Sequence, residues 1–136
     1  MAKVFLIDDD NIVIYLTKLV INESLPELEV VSFEYATEAL EALQDLVEKN
    51  HAFPEYILLD INMPMVDGWD FLAVYEKFPC NKRAQCKLMM HSSSLDPAEE
   101  IKSKSYNCVA DFVPKPITSE NLLAVFSLAQ SFQNVQ

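Results

Sequence analysis

Polar residues that follow short apolar runs give this 136-residue chain the side chains needed for phosphoryl chemistry: Asp8, Asp9, Asp60, Ser92 and Lys115. Three carboxylates brought into one pocket repel one another, so such a cluster needs a cation. Because neither histidine nor thiolate accompanies them, the expected cation is a hard ion such as Mg²⁺. A lysine and a hydroxyl nearby would supply donors to a phosphoryl group, and an ionised aspartate can be its nucleophile.

Each of these residues has an ordinary structural explanation when it is considered alone. An aspartate after a strand is often the N-cap of the next helix, a role that we expect for Asp10 or Asn11. A serine after a strand is common in turns, and a lysine between two prolines can be a solvated loop charge. The position of all these residues at strand ends is therefore what favours a site. The two histidines, His51 and His91, are interpreted as incidental.

The elements that must position these residues alternate regularly. Short apolar runs predict five strands, at 4–7, 28–33, 56–59, 87–91 and 109–113. Amphipathic stretches after each run predict five helices. Strict alternation of this kind predicts an α/β fold with a parallel sheet covered by helices on both faces. Since parallel strands place their carboxyl ends at one edge, the fold would bring the polar residues together.

Local signals place the helix faces and ends. The first helix carries one apolar stripe, which is typical of a core-facing side: Ile12, Val13, Leu16, Leu19 and Val20. Thr37, Asp96 and Thr118 are the expected N-caps of the second, fourth and fifth helices. Asn107 is expected to end the fourth helix in the left-handed conformation.

Composition narrows the classes of function. The length and a hydrophobic content of 51% fit one domain over residues 1–136, with no output domain. A net charge of −11 argues against a nucleic-acid partner. No apolar run is long enough to span a membrane and no signal peptide is recognisable, so we expect a cytoplasmic protein with no membrane partner. Cys80, Cys86 and Cys108 form no CxxC pair, which indicates reduced thiols and excludes structural zinc.

Five motifs in chain order make the sequence resemble the receiver domain of two-component response regulators, of the single-domain, chemotaxis type. They are Phe5–Asp10, Leu58–Pro64, Asp67-Gly68, Ser92-Ser93 and Phe112–Pro116. The resemblance covers essentially the whole chain. It implies a doubly wound (βα)5, flavodoxin-like sandwich whose parallel strands have the order 2-1-3-4-5.

The resemblance also implies a role for each matching residue. Asp60 would be the phosphoacceptor and a Mg²⁺ ligand, Asp9 a direct ligand, and Asp8 a ligand through a water molecule. Asn62 would bind Mg²⁺ through its backbone carbonyl, and Lys115 would pair with the phosphoryl group.

A second set of positions would couple phosphorylation to the surface. The Ser92 hydroxyl would move to the phosphoryl group, and Phe112, which lacks the phenol of the usual tyrosine, would turn inward. The face of the fourth helix, fifth strand and fifth helix would then change. Asn62 and Ser94 would tune dephosphorylation. Cys108 departs from the family, because glycine is common at its position.

The implied partners are proteins: a sensor histidine kinase or phosphotransfer protein as donor, and a downstream target that the sequence does not identify. The chain would be a monomer or weak dimer, and it would catalyse only its own phosphotransfer and autodephosphorylation. It could act as a regulator, or as a phosphorelay shuttle or sink. A receiver fold that docks without phosphorylation is the main alternative. A phosphatase of the haloacid dehalogenase type is disfavoured because Asn62 stands where its second aspartate is needed.

Overall fold

A five-stranded parallel sheet forms the centre of the fold. The computed structural model describes residues 2–93 and 96–134. The strands are β1 (Lys3–Ile7), β2 (Glu29–Phe33), β3 (Tyr56–Asp60), β4 (Lys87–Ser92) and β5 (Val109–Pro114). Their spatial order is β2-β1-β3-β4-β5 and every pairing is parallel. This confirms the predicted fold class and strand order.

Helices cover both faces of the sheet. They are α1 (Asn11–Ser24), α2 (Ala36–Glu48), α3 (Gly68–Tyr75), α4 (Cys80–Arg83), α5 (Pro97–Ser103) and α6 (Ser119–Asn134). The one-turn helix α4 was not predicted. It is held by a tertiary contact, since Lys82 Nζ donates to Asn50 Oδ1 (3.1 Å) and to the His51 carbonyl (2.9 Å). The predicted fourth and fifth helices are therefore α5 and α6.

The alternation of side chains along each strand builds two apolar layers. In β1, Phe5 and Ile7 pack with α2 and α3, where Leu43, Phe71 and Tyr75 are buried. The intervening residues of β1, Val4 and Leu6, pack with α1 and α6, where Ile21, Leu122 and Phe126 are buried. Because both faces are covered, the strand is a continuous apolar run rather than an alternating one.

The predicted inward stripe of α1 is wrong. The buried residues of this helix are Ile14, Thr17 and Ile21. Ile12 is 69% exposed and Leu16 is 48% exposed. Apolar residues lie on more than one face of α1, so periodicity alone does not decide which face meets the sheet.

Three predicted helix caps agree with the structure and two predicted boundary features do not. Asp10, Asp96 and Thr118 each accept a backbone N–H in the first turn of α1, α5 and α6. Helix α2 begins at Ala36 after Tyr35, so Thr37 lies inside it. Asn107 is not left-handed: among described non-glycine residues, positive φ occurs at Asn50 and Met65, with Asn50 following α2. All three cysteines are unbridged, as predicted.

No helix in the described part of the chain is long and apolar enough to cross a membrane.

The chain's single glycine sets the start of α3 against the end of β3. The Gly68 N–H donates to the Ile61 carbonyl (2.8 Å). A β-carbon at this position would lie 2.7 Å from the Asp60 carbonyl oxygen and 2.8 Å from Ile61 Cα. Asp67 caps the helix in a reciprocal capping box with Asp70. The backbone that carries Asp60 is thus packed directly against the α3 N-terminus.

Gly68→Ala is expected to destabilise the protein by about 1–3 kcal/mol, because the added methyl group meets backbone atoms that cannot rotate away. Urea denaturation measures the change. Ala73→Ser, which adds an atom at an exposed position of the same helix, is the control and is expected to shift the midpoint little. An unchanged midpoint for Gly68→Ala would contradict the close-packing argument.

Candidate functional site

Side chains from three strand ends meet at the carboxyl edge of the sheet. Asp8 follows β1, Asp60 ends β3 and Lys115 follows β5. Lys115 Nζ lies 2.6 Å from Asp8 Oδ2 and 3.0 Å from Asp60 Oδ1. The lysine therefore reaches past the end of β4 to join carboxylates of two other strands. The convergence expected from the strand ends is present in the structure.

The ion pairs are largely withdrawn from water. Asp8 is fully buried, Asp60 is 4% exposed and the Lys115 side chain is 11% exposed. The Asp10 backbone N–H donates to Asp8 Oδ1 (2.9 Å). Buried carboxylates of this kind are stable only when opposite charge or donors accompany them. Here Lys115 supplies the charge.

Burial also changes the proton affinities of the site. Burial and the negative charge of Asp8 raise the pKa of Asp60, Lys115 lowers it, and the net result is a pKa of about 6. Burial lowers the pKa of Lys115, but hydrogen bonds and charge attraction from Asp8 and Asp60 outweigh this effect and leave the pKa raised. The ammonium thus remains protonated at neutral pH, and Asp60 is mostly ionised there.

Three carboxylates form a set that can hold a cation. One oxygen from each of Asp8, Asp9 and Asp60 lies within 4.8 Å of the others, and Asp9 is exposed. Asn62 lies two residues after Asp60 in the β3–α3 loop, with an exposed side chain. Hard oxygen donors with an open, solvent-facing member fit Mg²⁺, which keeps several water ligands. The residues present therefore suit the ion that the sequence suggested.

Ser92 connects this cluster to α5. It is the last residue of β4 and is buried. Its carbonyl accepts the Lys115 backbone N–H (2.8 Å). Its hydroxyl donates to Glu99 Oε1 on α5 (2.9 Å). No local sequence signal predicts this contact, because the spacing of Glu99 from the N-cap Asp96 indicates nothing about a tertiary partner.

The other positions singled out in the sequence lie around the cluster. Phe112 is half-buried on β5, packs against the α2/α3 side of the core and lines a cavity of about 290 Å³ beside α5. Ser94 lies outside the described residues. His91 is buried next to Asp60 in the sheet, and burial, together with Lys115, lowers its pKa to about 3. The imidazole is therefore neutral at pH 7, and its interpretation as incidental stays a prediction.

An apolar groove opens beside the cluster. Its volume is about 290 Å³, and Lys115 itself forms part of the wall. Val13 and Leu16 of α1 line one side, and Pro116 and Ile117 line the other. The half-exposed Leu16 and the exposed Ile12 extend the apolar surface along α1. The result is an exposed apolar surface directly beside the charged cluster.

Comparisons with known proteins agree with this architecture. A chemotaxis protein CheY from Listeria monocytogenes is 26% identical over 130 residues, which are 95% of this chain and 98% of that protein. A protein-glutamate methylesterase/protein-glutamine glutaminase from Methylobacillus flagellatus is 34% identical over 84% of this chain, but the match spans only 29% of that longer protein.

Solved structures give the same picture. A two component response regulator from Cytophaga hutchinsonii superposes with a TM-score of 0.86 at 28% identity, covering 96% of this chain and 98% of that one. The chemotaxis response regulator CheY4 of Vibrio cholerae, at 22% identity, shares the fold with a TM-score of 0.74 over 93% of this chain and 97% of that one. The family model described as response regulator receiver domain matches residues 4–127. The chain belongs to the response regulator receiver domain family.

Proposed function

We propose that Asp60 accepts a phosphoryl group from a phosphohistidine of a sensor kinase or phosphotransfer protein, in a Mg²⁺-dependent reaction. The observation that carries this proposal is the position of Lys115, whose ammonium lies within 3.0 Å of an Asp60 oxygen and contacts Asp8 as well. A fixed cation beside a carboxylate at a sheet edge can stabilise the charge that develops on a transferring phosphoryl group. Residues 1–136 would act as one receiver domain.

The chemistry requires no general base. An ionised Asp60 oxygen attacks phosphorus, a P–O bond forms as the donor's P–N bond breaks, and the leaving imidazole keeps that electron pair and takes up a proton. Lys115 would pair with a phosphoryl oxygen. Asp9 and Asp60 would bind Mg²⁺ directly, Asp8 through water and Asn62 through its backbone carbonyl. Bound Mg²⁺ would neutralise negative charge on the carboxylates and the phosphoryl oxygens.

The donor would dock in the groove between α1 and the loop after β5. The groove is mostly apolar, and Lys115 forms part of its wall. An amphipathic helix that carries the phosphohistidine could bury its apolar face there and present the phosphoryl group to Asp60.

The surface formed by α5, β5 and α6 would change on phosphorylation and contact the downstream target. Ser92 and Phe112 would be the moving residues, and Asn62 and Ser94 would tune the phosphoryl lifetime. Regulator, shuttle and sink roles all use these contacts.

Asp60→Asn is expected to abolish Mg²⁺-dependent phosphorylation, because an amide is not a nucleophile for phosphorus. Intact mass after incubation with acetyl phosphate, with Mg²⁺ or with EDTA, measures the gain of one phosphoryl group. Asp45→Asn, at an exposed position of α2, removes the same charge outside the carboxylate cluster and is expected to be labelled like the wild type. Unlabelled wild type that also fails to bind beryllofluoride would favour the phosphorylation-independent docking module.

Asp9→Asn is expected to weaken Mg²⁺ binding by about tenfold or more, because it removes a direct carboxylate ligand. Asp10→Asn is a matched control at the adjacent position. It removes one negative charge while asparagine still caps α1, so its Mg²⁺ affinity is expected to change much less. Isothermal titration calorimetry measures both. Equal losses in the two variants would show a general charge effect and remove Asp9 from the ligand set.

Mg²⁺ affinity is expected to fall by about tenfold per pH unit below about pH 6. The reason is that the pKa of Asp60 is raised to about 6, and Asp60 binds metal in its ionised form but not in its protonated form. Above that pH the affinity is expected to level off. Calorimetric titrations from pH 5 to pH 8 test this, with Asp60→Asn as the variant that lacks the step. A profile that is flat between pH 5 and pH 7 would contradict it.

A further inference from the structure

The Ser92 hydroxyl is already engaged in this structure. It donates to Glu99 Oε1 at 2.9 Å, across the loop that joins β4 to α5. A serine hydroxyl has a single proton to donate. If that hydroxyl is to donate to a phosphoryl oxygen on Asp60, it must first leave Glu99. The two acceptors therefore compete for one donor.

Both competing acceptors are anionic. Hydrogen bonds to carboxylate and to phosphoryl oxygens are similarly strengthened by charge, so the exchange is close to balanced in free energy. Glu99 is partly buried, and a carboxylate that loses its donor gains by moving toward water. The exchange thus favours displacement of the first turn of α5, where Glu99 lies.

Helix α5 is suited to such displacement. Of its seven residues, only Ser103 is buried, and Ile101 is 68% exposed. Lys102 of this helix contacts an aromatic pair. Its Nζ lies 4.5 Å from the centre of the Trp69 ring, and Trp69 is stacked on Tyr106. A helix with so little apolar burial has a low local free energy of opening.

We propose that Glu99 is a positioning residue for Ser92, which holds the serine hydroxyl on α5 until a phosphoryl group on Asp60 takes it. The inference rests on the proposed phosphorylation of Asp60. It adds that Glu99 opposes the movement of the Ser92 hydroxyl toward the phosphoryl group. Release of Glu99 frees the start of α5 and changes the α5–β5–α6 face. The Ser92–Glu99 hydrogen bond thus sets the free energy that phosphorylation must supply before the α5–β5–α6 face changes.

Beryllofluoride, a phosphoryl analogue that bonds to a carboxylate oxygen, tests the proposal in the full chain with Mg²⁺. Its affinity is measured by ¹⁹F NMR for the wild type and three variants of α5. Glu99→Ala removes the competing acceptor and is expected to tighten binding about tenfold, the equivalent of one hydrogen bond to a charged group. Glu99→Gln keeps an acceptor oxygen and is expected to have a smaller effect. Glu100→Gln removes the same charge one residue away, from an exposed pair with Lys104, and is the matched control.

A double-mutant cycle with Ser92→Ala separates the hydrogen bond from general electrostatics. Without the Ser92 hydroxyl, Glu99→Ala is expected to change the affinity no more than Glu100→Gln does. Trp69, the only tryptophan, provides a second measurement, because it contacts Lys102 of α5. In Glu99→Ala its fluorescence is expected to resemble that of the beryllofluoride-bound wild type before any ligand is added.

The outcomes distinguish the proposed phosphoacceptor Asp60 from the proposed role of Glu99. Wild type that binds no beryllofluoride rejects Asp60 as phosphoacceptor, and with it the role of Glu99. Wild type that binds beryllofluoride while Glu99→Ala and Glu100→Gln behave alike supports the phosphoacceptor and overturns the role of Glu99. Thermal melts followed by circular dichroism show whether the variants fold, and Glu99→Gln provides the comparison if Glu99→Ala is unstable.

Discussion

The contact of one lysine with two buried carboxylates is the constraint on which the site depends. Asp8 and Asp60 come from adjacent strands, and both are almost fully withdrawn from water. Without a counter-charge they would repel each other strongly and take up protons. Lys115, directly after β5, supplies that charge, with its Nζ 2.6 Å from Asp8 Oδ2 and 3.0 Å from Asp60 Oδ1. The strand order β2-β1-β3-β4-β5 is what places the lysine within reach.

The backbone around the cluster holds these charges in place. The Ser92 carbonyl accepts the Lys115 N–H, which ties the ends of β4 and β5 together. On the other side, the close approach of Gly68 to the Asp60 carbonyl packs α3 against the end of β3. Rigid support of this kind matters because a displacement of about 1 Å is enough to weaken a site that works by positioning and electrostatics.

The same arrangement makes the pocket responsive to added charge. A bound cation and a phosphoryl group would each change the charge balance of the cluster, in which Lys115 is the cation placed against Asp8 and Asp60 among the described residues. The hydrogen bond from Ser92 to Glu99 connects the charged cluster to α5, a helix in which Ser103 is the only buried residue. If Glu99 releases Ser92 as proposed, a local change in charge at the sheet edge would alter the surface of α5.

The sequence by itself determined the sheet, the strand ends and the caps at Asp96 and Thr118, and it narrowed the cap of the first helix to Asp10 or Asn11. Continuous apolar runs, the polar residue that ends each run and the N-cap chemistry are all local features. Motif resemblance supplied the strand order. Only the tertiary structure decided which face of α1 is buried, where α4 forms, and that Glu99 receives the Ser92 hydroxyl. These features depend on packing between segments that are separate in the chain, and no local periodicity or capping signal encodes such a contact.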